Sequence, residues 1–340
     1  MIRRPDASLL VRYDALLLDL DGTVMHGGAP IPGAADGIRT ARAAGAGIAF
    51  VTNNASRTPQ QVVEHLAGVD VEAAVEEIVT SPQIAAGLLA DQLENAAEVL
   101  VIGSDGLAEE IARVDLSPVR EAGSGVAAVV QGFSPDLDWA RLAEAAYALA
   151  DPAVRWMATN TDATLPTERG MAPGNGSLVA AVAHATGRTP DVAGKPQPGM
   201  FHGAAERLAS RRPLVVGDRL DTDIEGAGRA EMDSLLVLTG VNSVLDALHA
   251  EPLQRPTWIQ ADMTTLDRGV TDIAVHGTDA RCGRASARFQ DGDIHLDGDP
   301  DSLQSIHAAL ALVRRHAPDN AWTGTLRTRE GDSVTTVRGR

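Results

Sequence analysis

Ala15-Leu16-Leu17-Leu18-Asp19-Leu20-Asp21-Gly22-Thr23 is an uninterrupted apolar run that ends in two carboxylates and a glycine. A continuous apolar run with no polar alternation is how a parallel strand covered on both faces reads. The same pattern recurs at Gly47–Thr52, which ends in Asn53 and Asn54, at 99–103, at 213–218 and at 234–238. Helical stretches lie between these runs: 31–44, and a helix opened by Thr58 as N-cap with Pro59 at its first position. Strand and helix in alternation predict an α/β fold, a doubly wound, Rossmann-like parallel sheet. In such a sheet ligands bind beyond the carboxyl ends of the strands, which is where Asp19, Asp21, Thr52 and Asp218 fall.

Residues 81–184 carry strands (127–131, 155–158) and helices (138–149, 177–186) of their own, and they sit between two groups of candidate site residues. They are expected to form an inserted α/β cap domain, with 1–80 and 185–266 as a discontinuous core. Residues 267–340 hold 10 Arg against 11 Asp and Glu, whereas the whole chain has a formal charge of −17. That change in composition predicts a small C-terminal α+β extension, with alternation at 285–289, Asp-Gly turns over 291–299, a helix over 301–315 and strands after Trp322. Its role is left open by the residues.

Strong net acidity excludes a nucleic-acid groove, which needs a basic stripe. No run approaches the roughly 20 apolar residues of a membrane helix, and Met1-Ile2-Arg3-Arg4-Pro5-Asp6 has no apolar stretch behind its charges. A cytoplasmic protein is expected. Cys282 is the sole cysteine, so an intramolecular disulfide is impossible, and a buried, inert thiol is expected.

The chemistry follows from the carboxylates. Asp19 at a strand end can act as a nucleophile without a base, because it is already ionised at pH 7. Its target would be a phosphate monoester, itself anionic, so the encounter needs a divalent cation and further positive donors. Asp21, two residues on, can protonate the leaving alkoxide and later take a proton from water. Gly217-Asp218-Arg219-Leu220-Asp221-Thr222-Asp223 places a carboxylate after another apolar strand and a second one turn later. Asp19, Asp218 and one backbone carbonyl would supply hard oxygen ligands for Mg²⁺. Val51-Thr52-Asn53-Asn54 offers a hydroxyl and amides to phosphoryl oxygens. Lys195 is the only lysine beside 28 arginines, which marks a place where a compact ammonium serves and a planar guanidinium does not.

In this order, DLDGTVMHG (19–27), VTNN (51–54), ATNTD (158–162), PGNG (173–176) and GKPQP (194–198) resemble the haloacid dehalogenase-like phosphatases, in their type IIA capped branch. The resemblance covers about residues 10–266, and most members of that branch end near the latter position. It implies Asp19 as nucleophile and Asp21 as acid/base and as a metal ligand through its carbonyl. It implies Thr52, Asn53, Asn54 and Lys195 on the phosphate, Asp218 on Mg²⁺, and Asp223 behind it. Asn160 and Asp162 either face substrate or shape a turn, and His26 reads as a loop residue. Ala55 departs from the branch, which usually has serine after the two asparagines.

A dehalogenase would need neither Asp21 nor Asp218. A P-type ATPase would need membrane spans. A phosphomutase shares the aspartyl-phosphate step and differs in what accepts it, and a catalytically silent phosphate sensor would have no use for the full set of four charged residues. The expected substrate is a small phosphorylated metabolite. Glycerol 3-phosphate ranks first, because an actinobacterial type of glycerol 3-phosphate phosphatase has a similar extension, and phosphoglycolate ranks second. Self-association into a homo-oligomer is left open.

Overall fold

The computed structural model describes residues 7–167, 169–328 and 330–337, with only the backbone of Pro166 and Thr167. Residues 1–6, on which the reading of the N-terminus falls, lie outside them. The chain divides into two compact units, Met1–Ala49 with Ala205–Arg340, and Phe50–Ala204. The boundaries expected from the sequence fall at 80, 184 and 266.

In the first unit the strand Ala15–Leu18 is buried along its whole length. It pairs in parallel with Pro213–Gly217, which pairs with Asp233–Val237, which in turn pairs with Trp258–Gln260. On its other side lies Gly47–Thr52, so strand order reverses at Ala15–Leu18. That reversal is the switch point where open α/β sheets place their ligands. The helix expected over 31–44 runs Ala34–Ala43. Pro32 and Gly33 delay its start, with Gly33 taking φ +81 as its N-cap.

Gly47–Thr52 carries the chain into the second unit, where its end pairs in parallel with Ile78–Thr80. Thr58 caps the helix Pro59–Ala67, and Gln61 answers it in a capping box. A separate parallel sheet follows in the order Asp191–Val192, Arg155–Ala158, Val126–Gln131, Glu98–Ile102, Ser117–Val119. Leu107 and Ile111 pack on one face with Val99, Val101, Ala128 and Val130. Ala145, Leu149, Val179 and Val182 pack on the other with Leu100, Ile102, Val129 and Trp156. Alternate residues of each strand thus serve opposite faces, as pleating requires.

The extension is an antiparallel meander, Ile273–His276, Asp279–Cys282, Ala285–Gln290 and Asp293–Asp297, joined in parallel by Leu326–Arg327. Asp291 (φ 52) and Gly292 (φ 89) form the two-residue turn between its third and fourth strands, the left-handed pair that an Asp-Gly hairpin needs. Cys282 is buried there and its thiol contacts Thr271 O, as expected of an inert cysteine. The helix Leu303–His316 lies on this sheet, and its apolar side chains also merge with those of the preceding core. Leu220, Leu236, Val244, Leu248 and Ile259 share one apolar cluster with Ile306, Leu310, Val313, Leu296 and Trp322. Composition separates the extension from the core, but packing does not.

His307 shows how tight this seam is. Its Nε2 lies 3.1 Å from both the amide nitrogen and the carbonyl oxygen of Ile259, and the side chain is buried. Burial pushes its pKa down from 6.5 to about 4. The unfolded chain therefore takes up this proton near pH 6.5 while the folded chain resists until about pH 4, so stability present above pH 6.5 is lost as pH falls through that window. Urea unfolding should show a loss of up to about 3 kcal/mol from this group between pH 7 and 4. His307→Gln should remove that component of the slope, and an unchanged slope would refute the assignment.

Candidate active site

The carboxylates come together in the first unit. Asp19 follows Leu18 directly, and its amide donates to Val216 O (2.9 Å), extending the strand pairing by one residue. Asp218 follows Gly217 at the end of the neighbouring strand and is fully buried. A π-helical turn, Leu220–Ile224, then brings Asp223 back, so that its carboxylate accepts from the Arg219 amide (3.1 Å). Carboxylate oxygens of Asp19, Asp218 and Asp223 all lie within 4.8 Å of one another. Three anions at that spacing repel unless a cation offsets them, and an all-oxygen donor set suits a hard divalent ion. Among the described residues this is the one such group. Asp223, expected behind the ligands, has a carboxylate oxygen within this group.

Asp218 is enclosed by residues that the motifs did not single out. The Val241 amide donates to its Oδ2 (2.8 Å), and the Asn242 amide donates to its carbonyl (3.2 Å). A Cβ on Gly240 would stand 1.9 Å from Oδ2, and one on Gly22 would stand 2.4 Å away. Gly22 also holds φ +91, a conformation other residues rarely adopt. The Thr239 hydroxyl donates to Gly22 O (2.6 Å), tying the 238–243 loop to the turn after Asp19. Asp21 is exposed on that turn, whose Gly22 amide donates to Met25 O (2.7 Å), and its carboxylate is not one of the three. His26 is exposed as well.

The second unit gathers the other candidates. Thr52 is buried at the end of its strand and its hydroxyl accepts from the Asn54 amide (3.1 Å). Lys195 is 3% exposed, and its ammonium donates to Val51 O (3.1 Å). Asn53 locks it from the side: the Lys195 amide donates to Asn53 Oδ1 (2.8 Å), and Asn53 Nδ2 donates to Lys195 O (3.1 Å). Asn53 Nδ2 also faces the Asp162 carboxylate at 3.2 Å. Asn53 O receives Asn160 Nδ2 (2.7 Å) and the Ser81 hydroxyl (3.0 Å). Asn160 is held in turn, since its carbonyl accepts from Asn175 Nδ2 (2.7 Å). Asn160 and Asp162 thus both hydrogen-bond Asn53.

Asn54 turns its Oδ1 to the amide and hydroxyl of Ser56 (2.8 and 2.7 Å). Ala55, where the branch has serine, is buried, and its carbonyl accepts from the Ser104 hydroxyl (3.1 Å). Ser81, Asn175, Thr239 and Asn242 escaped sequence reasoning because their contacts run to backbone atoms far along the chain. Asn175 lies within the quoted PGNG motif, the nearest thing to a signal.

Comparison with known proteins identifies the family. Residues 16–117 match the sequence model of the haloacid dehalogenase-like hydrolases, and residues 192–266 match a HAD-hydrolase-like model. The chain is similar to a D-glycerol 3-phosphate phosphatase of Mycobacterium tuberculosis, 47% identical over 310 residues that cover 90% of this chain and 85% of the relative. The crystal structure of glycerol phosphate phosphatase from that organism, in complex with magnesium, superposes with a TM-score of 0.82 at 42% identity, covering 95% of each chain. A p-nitrophenyl phosphatase from Archaeoglobus fulgidus has a TM-score of 0.67 at 28% identity, covering 74% of this chain and 97% of its own. No helix among the described residues is long and apolar enough to cross a membrane. The chain belongs to the haloacid dehalogenase-like hydrolases, and within them to the type IIA capped phosphatases.

Proposed function

We propose that this phosphatase hydrolyses glycerol 3-phosphate to glycerol and inorganic phosphate through an aspartyl-phosphate at Asp19, with Mg²⁺ as its cofactor. One observation carries the choice of substrate. The likeness to the glycerol phosphate phosphatase runs through the C-terminal extension and covers 95% of both chains, whereas the nitrophenyl phosphatase covers 74% of this chain.

The Asp19 carboxylate attacks phosphorus, the bond from phosphorus to the glycerol oxygen breaks, and Asp21 gives its proton to the departing alkoxide. Water then loses a proton to Asp21 and attacks the same phosphorus, which frees Asp19 and releases phosphate. Lys195 holds a point charge for the phosphoryl oxygens, and Thr52, Asn53 and Asn54 offer them neutral donors. Asp19, Asp218 and the Asp21 carbonyl would hold Mg²⁺, with Asp223 supporting or joining them. Bound there, the ion would neutralise phosphoryl charge as a Lewis acid. The all-oxygen character of the carboxylate group supports that fit. Residues 81–184, with a sheet packed on both faces, have a core of their own, which supports the reading of the insertion as a folded cap domain.

Initial rates with Mg²⁺ against a panel of small phosphate esters test this reading. Glycerol 3-phosphate should exceed phosphoglycolate and p-nitrophenyl phosphate in kcat/KM by roughly 10-fold or more. A preference for phosphoglycolate would overturn the substrate and keep the chemistry. Phosphate release that requires a second sugar phosphate as acceptor would overturn hydrolysis itself.

A further inference from the structure

We infer that the C-terminal extension sets the affinity of the metal site, acting through His249 and Trp322 as positioning residues for Asp218. The inference rests on the reading of Asp218 as a Mg²⁺ ligand.

The loop between Val237 and Val244 supplies the Val241 and Asn242 amides to Asp218, and Asn242 Oδ1 also accepts from the Leu220 amide (2.9 Å) just past it. Thr239 links the same loop to Gly22 O. The loop has no regular structure of its own, so besides these hydrogen bonds its two ends position it. One end follows the core strand Asp233–Val237, and the other is the helix Val244–His249, capped by Ser243 and Asp246.

Six residues are too few to hold a helix by backbone bonding alone, so packing must place it. Val244, Ala247 and Leu248 are fully buried, in one cluster with Ile306, Leu310 and Trp322 of the extension. At the last residue of the helix, the His249 ring stacks on Trp322 with centroids 5.0 Å apart and planes 13° apart. One ring nitrogen lies 3.0 Å from Gly324 O and the other 2.9 Å from Leu245 O. The extension thus grips the helix at its far end, and the residues just before its near end hold Asp218. Close packing transmits displacement along such a path because the elements have no slack. A rigid grip pre-forms the ligand geometry that a loose one would have to assemble on binding.

The test uses the full-length protein. Mg²⁺ binding is measured by calorimetry without substrate, together with the Mg²⁺ dependence of turnover and far-UV circular dichroism. Trp322→Ala and His249→Ala should each weaken Mg²⁺ binding roughly 3- to 10-fold, with kcat at saturating Mg²⁺ within about 2-fold of wild type. Trp322→Phe, which keeps an aromatic face for His249, should recover most of the affinity. Arg288→Ala, which breaks only an exposed pair with Asp279, should leave Mg²⁺ binding unchanged. Folded Trp322→Ala and His249→Ala proteins with wild-type Mg²⁺ affinity would overturn the inference. Should Trp322→Ala not fold, His249→Ala, which leaves the apolar cluster intact, decides alone. Asp218→Asn separates the two levels. If it leaves Mg²⁺ binding intact, the ligand assignment fails. If it abolishes binding while the other two variants are neutral, only the coupling fails.

Discussion

Asp19→Asn should lower Mg²⁺-dependent phosphate release by at least about 10⁴-fold while leaving the fold unchanged. The carboxamide matches the carboxylate in shape, so the variant keeps the backbone pairing of residue 19 with Val216 O. What it lacks is an anionic oxygen able to form a bond to phosphorus, and no other group in the proposed scheme can take that part. Asp21 is exposed and stands outside the carboxylate group, so it is not placed as a substitute. Turnover within 10-fold of wild type, in protein freed of contaminating phosphatase, would remove Asp19 from the nucleophile's role.

Truncation after Leu266 should destroy the folded state altogether. The cut uncovers Val244, Leu248, Leu236 and Ile259, which share their apolar cluster with Ile306, Leu310 and Trp322. Exposing a large apolar side chain costs about 1.5–3 kcal/mol, so a handful of them approaches the whole stability of about 5–15 kcal/mol that a domain possesses. Polar losses add to this. Arg255, buried and with its pKa lowered by that burial, donates to Ala317 O and Asn320 O, and both acceptors would be gone. Arg314 would no longer cover the Pro256 carbonyl. The truncated chain should be insoluble or lack a cooperative thermal transition. A soluble 1–266 fragment that melts within a few degrees of the full chain would show that the extension is a separate module.

The core was readable because its chemistry is local. A four-residue apolar strand followed by carboxylates at 19 and 21 is visible as a string, as are Thr58-Pro59 at a helix start and Asp291-Gly292 at a hairpin. Lys195 was visible through composition alone. The contacts that hold these residues were not. Ser81 meets Asn53 O, Asn175 meets Asn160 O and Thr239 meets Gly22 O, and each is a small polar residue bonded to a backbone atom that no pattern specifies. Gly240 reads as a loop glycine until Asp218 is seen against it. The packing of the extension was not legible for a different reason. Its balanced charge suggested an appendage, but charge reports on exposed side chains, while the seam is made of buried Leu, Ile, Val and Trp.

Acid-quenched single turnover, followed by peptide mapping, tests the central claim most directly. Wild-type protein mixed with substrate and Mg²⁺ and quenched within the first turnover should carry one phosphoryl group on the peptide containing Asp19, acid-stable and labile to base. Phosphate release at full rate with no phosphorylated peptide at any quench time, or with the phosphoryl group on another residue, would contradict it.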